Sequence, residues 1–397
     1  MRKILFLSHR IPYPPNKGDK IRSYHLLEHL AKQHQLYLGA FIDHDDDWKY
    51  VDKLENICKL TYFSKLKPLQ SKIKSFLGLV KNEPLTLPYY YSREMQRWID
   101  DVINAENITT VFVFSSAMAQ YVFNSRYKSL VKIIDFVDVD SDKWNQYAEK
   151  QSWPMSWIYK RESRYLQNYE KAIAADFDLS YFVSKNEAEL FQNIAPENKN
   201  KIKYYNNGVN ADYFSPDIKY SNPYEGSEKI IIFTGAMDYW ANIDAVVWFA
   251  GEIFPEVLNK IPAAKFYIVG SNPSLEVKNL AGDSVKVTGT VADIRPYVAN
   301  AKLVVAPLRI ARGVQNKVLE AMAMAKPVLV TTQGYEGIEG FPKFAGKVND
   351  VPSLMSAYCI DMLNGKFEYN IGIENRRFVI ENYNWERNLN LVCQYLK

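Results

Sequence analysis

The sequence predicts an α/β protein of two doubly wound domains facing a central cleft, and three observations predict it. Short apolar runs bounded by glycine, proline or serine alternate with stretches of helical periodicity along nearly the whole chain. A strand, a glycine-bearing loop and a helix recur in that order around Gly18, Gly235 and Gly313. Between the halves lies the turn-rich YYNNGVNADYFSP, followed by SNPYEGSEK. The expected division is therefore 1–200, a linker over 201–225, a second domain over 226–375, and a helical segment over 376–397 that packs back on the first domain.

Composition narrows the function. At 397 residues the chain accommodates two full cores, and 47% hydrophobic with 24% charged residues is that of a folded protein. A net charge of +4 is too small to argue for nucleic acid. The abundant aromatic residues supply rings for a ligand cleft, although most will be core. Cys58, Cys359 and Cys393 are too few and scattered for a disulfide framework or zinc site, which fits a reducing compartment. The opening MRKILFLSHRIPYPP has an apolar run of only about five residues, unlike a secretory signal. No window reaches the roughly 18 apolar residues of a membrane span. The expected location is cytoplasmic, at most at a membrane surface.

In order, KILFLSH reads as a buried strand and RIPYPPNKGDK as a loop, because its prolines and glycine exclude helix. A helix follows over about 21–33, with Leu26, Leu27 and Leu30 on one face. Gly18 brings the loop backbone to a ligand, with Asp19, Lys20 and Arg22 beside it, or is simply part of a turn. LYLGAFI is the next strand. Residues 59–82 carry six lysines and no acidic residue, with Leu66, Leu69, Ile73, Phe76, Leu77 and Val80 at helical spacing. They read as a basic amphipathic helix, lying on a membrane surface or packing its stripe on the domain, and Pro68 shortens it.

VFVFSS and IIDFV are strands, and the second runs into Asp138, Asp140, Ser141 and Asp142. Carboxylates there bind a metal or sugar, act as a base, or cap the next helix. DLSYFVS is another strand, after which Ser184 caps a helix with Glu187 at the capping-box position. In the second half IIIFTG, KFYIVG, VKVTG, KLVVAPL and PVLVTT are strands.

Arg309 to Val330 holds the most informative chemistry. Gly313 permits close backbone approach, and the N–H groups of Val314, Gln315 and Asn316 line a helix start that favours phosphate. Lys317 in the first helical turn is electrostatically misplaced unless an anion lies nearby. Arg309 and Arg312 add charge, and Glu320 can accept hydrogen bonds from ribose hydroxyls. The alternative is a solvated basic loop with a Lys317–Glu320 surface pair.

These segments resemble the GT-B glycosyltransferases of the large retaining family four, and most closely the sugar transferases associated with PEP-CTERM/exosortase systems. The resemblance rests on SHRIPYPPNKGDKIRSYH, DFVDVDSDKW, YFVSKNEAELF, NNGVNADYFSP, FTGAMDYWANIDAVVWF, the block from VTGTVADIRPYV to AMAKPV, and NYNWERN. It implies two Rossmann-like domains and transfer of a hexose, with retention, from a UDP- or GDP-sugar to a glycan or lipid-linked acceptor. Exopolysaccharide or surface-glycan synthesis is the implied setting, with the inner leaflet as a partner through residues 59–82. Glu320 matches the second glutamate of the family's Glu-x7-Glu motif, which holds the ribose. Lys317, Gly313 and the Val314–Asn316 amides match the grip on the diphosphate, which Gly18 also approaches. Gly235 and Met237 fall near the donor, and Thr290 and Val291 against the base.

Two departures stand out. Arg312 replaces the motif's first glutamate, and GAMDYWANID lacks the Arg…Lys pair that clamps the diphosphate in many relatives. Arg309 or Arg312 is the expected substitute. No cofactor or metal cluster is evident, and metal-independent chemistry is expected. His25, Asp138 and Asp140 are the candidates for a catalytic base, and Lys317 for stabilising the leaving group. A GT-B nucleotide-sugar epimerase and a non-catalytic nucleotide-binding assembly protein are the alternatives.

Overall fold

The apolar runs form two parallel sheets. The computed structural model describes the chain except for Asn124, 226–228, Arg312, 339–346, 367–369 and Lys397. It divides into two units, Met1–Asn206 with Leu389–Lys397, and Asn207–Asn388.

The first unit holds β1 (Lys3–Ser8), β2 (Gln35–Ile42), β3 (Leu60–Lys65), β4 (Thr110–Phe114), β5 (Val131–Val137), β6 (Leu179–Phe182) and β7 (Ile202–Tyr204). Their order is β3-β2-β1-β4-β5-β6-β7, parallel throughout. Ile4 stands opposite both Leu36 and Thr110, so β1 is flanked on each side. Burial on both faces explains why β1 and β4 run apolar without alternation. Chain order reverses between β1 and β4, so the loops leaving them diverge and open a crevice at the strands' carboxyl ends.

The second unit holds β8 (Ile230–Thr234), β9 (Lys265–Val269), β10 (Val285–Gly289), β11 (Leu303–Ala306), β12 (Val328–Val330) and β13 (Lys347–Val348). The order β10-β9-β8-β11-β12-β13 is again parallel, and the reversal falls between β8 and β11. Helices Trp240–Trp248 and Asn316–Ala323 follow these two strands.

Some elements differ from the sequence reading. Residues 60–65, read as helix, are the strand β3, whose half-exposed LTYFSK lacks an apolar run. The basic helix starts at Pro68, where the missing N–H costs nothing. Helix Gly18–Ala31 begins three residues before the expected start. The C-terminal segment is two helices, Asn370–Asn382 and Trp385–Cys393. Asn375 Nδ2 donates to the Lys326 carbonyl at 2.7 Å, which holds the first of them in the second unit. No helix among the described residues is long and apolar enough to cross a membrane.

Candidate functional site

The β8–β11 reversal gathers most of the expected donor-site residues. Gly235 ends β8, and a Cβ there would lie 2.8 Å from Asn242 Nδ2 and 3.2 Å from Lys317 Nζ. Glycine therefore keeps open the space in which those two side chains meet. Met237 does not face this space. Its side chain is buried in the core, its N–H donates to Ser271 O at 2.7 Å, and its carbonyl accepts from Ser274 N at 3.1 Å.

After β11, Arg309 turns aside. Its Nε donates to Asp244 Oδ2 at 3.0 Å, its Nη2 pairs with Asp244 Oδ1, and its guanidinium lies 5.3 Å from the Trp248 ring. Asp244 pairs with it, and the Arg309 side chain stays about half exposed. Arg312 lies outside the described residues. Gly313 has φ +62°, in the left-handed region. Gly337 packs against its backbone, where a Cβ would come within 2.8 Å.

Gln315 is extended at the cap of helix Asn316–Ala323 and makes no side-chain cap. The Val318 N–H returns to Gln315 O at 2.9 Å, while those of Asn316 and Lys317 have no backbone acceptor among the described residues. Val314 is buried by its side chain and offers only backbone. Asn316 Oδ1 accepts from Asn207 Nδ2 at 3.2 Å.

Lys317 is the charged centre. Its Nζ donates to Asn242 Oδ1 at 2.6 Å and lies 4.3 Å from the centre of the Phe233 ring. Asn242 is oriented in turn by donating from Nδ2 to the Ala236 carbonyl at 2.8 Å. Burial pushes Lys317 down to about 7 against the opposing pull of Glu320. Burial likewise pushes Glu320 up to about 7, opposed by Lys317. The Glu320 carboxyl makes no hydrogen bond among the described residues, although its backbone carbonyl accepts from Met324 N at 3.1 Å.

Asn242 is a site residue that the motifs missed. Its signal was a lone amide inside the apolar helix WANIDAVVW. Thr290, exposed, and Val291, half-buried, follow β10 after Gly289 at φ +70°. Nearby, Arg295 is held by Asp293 and stacks 3.7 Å from the centre of the Tyr213 ring.

The β1–β4 reversal of the first unit gathers a different set. His9 Nε2 lies 3.3 Å from Asp19 Oδ2, and Arg10 Nη1 reaches the same oxygen at 2.7 Å. The His9 ring packs against Phe114 and edge-on to Tyr90. Burial works against the Asp19 charge, but the His9 hydrogen bond and Arg10 hold its carboxyl well below the usual range. Gly18 opens the helix carrying Asp19.

Lys20 and Arg22 face inward instead of a ligand. Lys20 Nζ bonds Asp47 Oδ2 at 2.6 Å, and Arg22 Nε bonds Asp135 Oδ2 at 2.8 Å. Arg22 also donates to the Tyr205 and Phe182 carbonyls. His25 sits beside Glu28, and burial pushes it down to about 4.

Asp138 accepts from Lys143 Nζ at 2.5 Å, with Asp140 at 3.5 Å from the same nitrogen. Neither caps helix Asp140–Glu149, whose start at Val139 has no side-chain cap. Glu170 accepts from Ser141, and burial, with Asp140 nearby, pushes it up to about 8. His9 is the other residue the motifs missed, although its place just after the first strand signalled it. No group of three or more acidic, histidine or cysteine side chains suited to a metal ion occurs among the described residues.

Residues 228–363 match the family model described as glycosyl transferases group 1. An uncharacterised 44.6 kDa protein in the cps region of Klebsiella pneumoniae is 22% identical over 370 residues, 85% of this chain and 84% of its own. Sucrose-phosphate synthase from Thermosynechococcus elongatus has a TM-score of 0.67 at 16% identity, over 100% of this chain and 98% of that one. HepE from Anabaena, solved with UDP, has a TM-score of 0.64 at 15% identity, over 99% of each chain. The fold is that of the GT-B enzymes, two parallel-sheet Rossmann-like domains, and with the group 1 match it supports a GT-B glycosyltransferase.

Proposed function

We propose that this chain is a retaining hexosyltransferase that moves a sugar from a nucleoside-diphosphate donor to a glycan or lipid-linked acceptor in exopolysaccharide or surface-glycan synthesis. Family four and its PEP-CTERM/exosortase-associated group are the proposed placement. The observation that carries it is Lys317, an ammonium held by Asn242 beside Gly235 and the amides of Asn316 and Lys317, which have no backbone acceptor among the described residues. HepE was solved with UDP and with UDP-glucose, which favours a UDP donor. The cps-region relative favours a polysaccharide product.

In this reading the diphosphate lies on the helix N-terminus and Lys317, and Glu320 accepts from the ribose. The acceptor hydroxyl attacks the anomeric carbon on the leaving-group face as the bond to the β-phosphate oxygen breaks. The departing electron pair is stabilised by Lys317 and the helix amides. Within the first unit, His9, oriented by Asp19, is the group suited to take a proton from a bound acceptor; its geometry favours it over His25, which pairs with Glu28. Work takes place on the cytoplasmic side of the plasma membrane, with the helix of residues 68–81 at the inner leaflet.

A thermal-shift screen against UDP, GDP and their sugar conjugates tests the proposal. One nucleoside diphosphate is expected to stabilise the native chain and neither Lys317→Ala nor Glu320→Ala. No stabilisation by any of them would remove the donor site.

A further inference from the structure

The first unit carries two exposed apolar groups that the donor site does not use. On helix Pro68–Lys81, Leu69 and Ile73 stand one turn apart and are 79% and 70% exposed, while Leu66 and Ser71 are buried. The helix thus presents these two side chains to solvent instead of packing them. Exposed Lys67 and Lys72 flank them, and no acidic residue falls within 59–82. Phe76, Leu77 and Val80 have side chains outside the described set.

The second group opens helix Met155–Asp176. Trp153 is 80% exposed and Trp157 57%, with Met155 exposed between them. Tryptophan is highly buried on average, so two indoles in water within one turn of a helix start are an unusual exposure of apolar area. Lys160 and Arg164, both exposed, continue along the same helix.

The two elements are fastened together. Buried Glu162 accepts from the N–H groups of Leu85 and Thr86 at 2.7 and 3.1 Å, and from Thr86 Oγ1 at 2.8 Å. Tyr165 donates to Asn82 Oδ1 at 3.0 Å, and Arg161 to the Glu83 carbonyl at 3.3 Å. The chain just past the basic helix is therefore tied to the long helix about one turn beyond Trp157.

We infer that these elements form one binding surface for an anionic lipid bilayer, in which lysines meet the headgroups and Trp153 and Trp157 anchor at the interface. Indole rings settle at the headgroup level, and basic residues are drawn to an anionic surface. One weak signal holds a protein only marginally, and two together hold it stably. The acid-free lysine run beside exposed indoles fits anionic lipid better than a protein surface of mixed charge. The inference deepens the transferase reading by naming what holds the enzyme beside a lipid-linked acceptor.

Sedimentation with vesicles of mixed phosphatidylcholine and phosphatidylglycerol, and of phosphatidylcholine alone, tests it. The native chain is expected to sediment with the anionic vesicles and to be released by salt. The pair Trp153→Ala with Trp157→Ala, and the pair Lys67→Glu with Lys72→Glu, should each weaken partition about tenfold. Both pairs should keep their thermal stabilisation by nucleotide, which shows that they fold. No sedimentation of the native chain with anionic vesicles overturns the inference, as does full sedimentation of the tryptophan pair. Nucleotide stabilisation is read separately, so a failed donor site and a failed membrane surface give different results.

Discussion

Asn207 joins the first residue of the second unit to the start of the helix that carries Lys317. Its Nδ2 donates to Asn316 Oδ1 at 3.2 Å, and its carbonyl accepts from Asn388 Nδ2, also at 3.2 Å. Asn316 lies beside the amides proposed to hold phosphate, so Asn207 orients that helix start without touching the ligand. Loss of one such bond is worth about 1 kcal/mol, or about fivefold in affinity. Asn207→Ala is therefore expected to weaken UDP binding about fivefold in calorimetry while leaving the fold intact. An unchanged dissociation constant would make the contact purely structural.

Lys317 and Glu320 both titrate near neutrality in the free protein, with values of about 7 each. A diphosphate raises Lys317, and a ribose hydroxyl donating to Glu320 lowers it. Binding should take up a proton at about pH 8 through Lys317 and release one at about pH 6 through Glu320. Calorimetry in buffers of contrasting ionisation enthalpy measures both. Lys317→Met should abolish the uptake and Glu320→Gln the release, each compared with the native chain to remove the nucleotide's own titration. Equal uptake in the native chain and Lys317→Met at about pH 8 would count against phosphate contact by this lysine.

The same burial makes a prediction for stability. The folded value of Lys317 lies below its unfolded one, so the unfolded chain binds more protons between about 7 and 10.5. Its contribution to stability therefore rises with pH across that window. Glu320, raised from 4.5 to about 7, contributes stability that is fully present below about pH 4.5 and is lost as pH rises from there to about 7. Lys317→Met should stabilise the unliganded chain at neutral pH by about 1 kcal/mol, a figure kept small because the side chain is only half-buried. The gain should vanish by about pH 10.5. A melting temperature lowered at neutral pH would show that the Asn242 bond outweighs the desolvation of the ammonium.

How much of this was legible in the sequence follows burial and range. β1, β4, β8 and β11 are sandwiched between helices, so their apolar runs declare them. β3 is half-exposed, and the edge strands β7 and β13, of three and two residues, are too short to show any period. The loop proposed to hold the donor could be singled out because Gly313, Lys317 and Glu320 lie within one strand–loop–helix step. The partners of Lys20 and Arg22 are 27 and 113 residues away, so their burial could not be read locally. The same holds for Asn242, which meets Lys317 only because β8 and β11 are neighbours, 75 residues apart in sequence.

Arg22 offers a test of the first unit's core. Its guanidinium is fully buried, bonded to Asp135, and stacked 3.6 Å from the centre of the Tyr205 ring, whose hydroxyl also donates to Asp135. Removing the carboxylate leaves a buried cation without its counter-charge. Asp135→Ala is expected to destabilise the unit by roughly 3–5 kcal/mol in chemical denaturation. Loss of under about 1 kcal/mol would mean that the Phe182 and Tyr205 carbonyls alone compensate the charge.

His9 and Asp19 carry the last prediction. Asp19 is held ionised by His9 and Arg10, so it can orient the imidazole. A histidine held in this way at the end of β1 is suited to accept the acceptor proton as the new glycosidic bond forms. General-base contributions of this kind are about 10²–10⁴-fold. His9→Gln should therefore lower turnover by about 10²-fold or more while nucleotide stabilisation is retained, because the proposed diphosphate site lies within the second unit. Asp19→Asn should lower turnover less than His9→Gln does, and His25→Gln less again. Equal activity of native chain and His9→Gln would return the proton to the departing phosphate oxygen, which lies on the same face as the attacking hydroxyl.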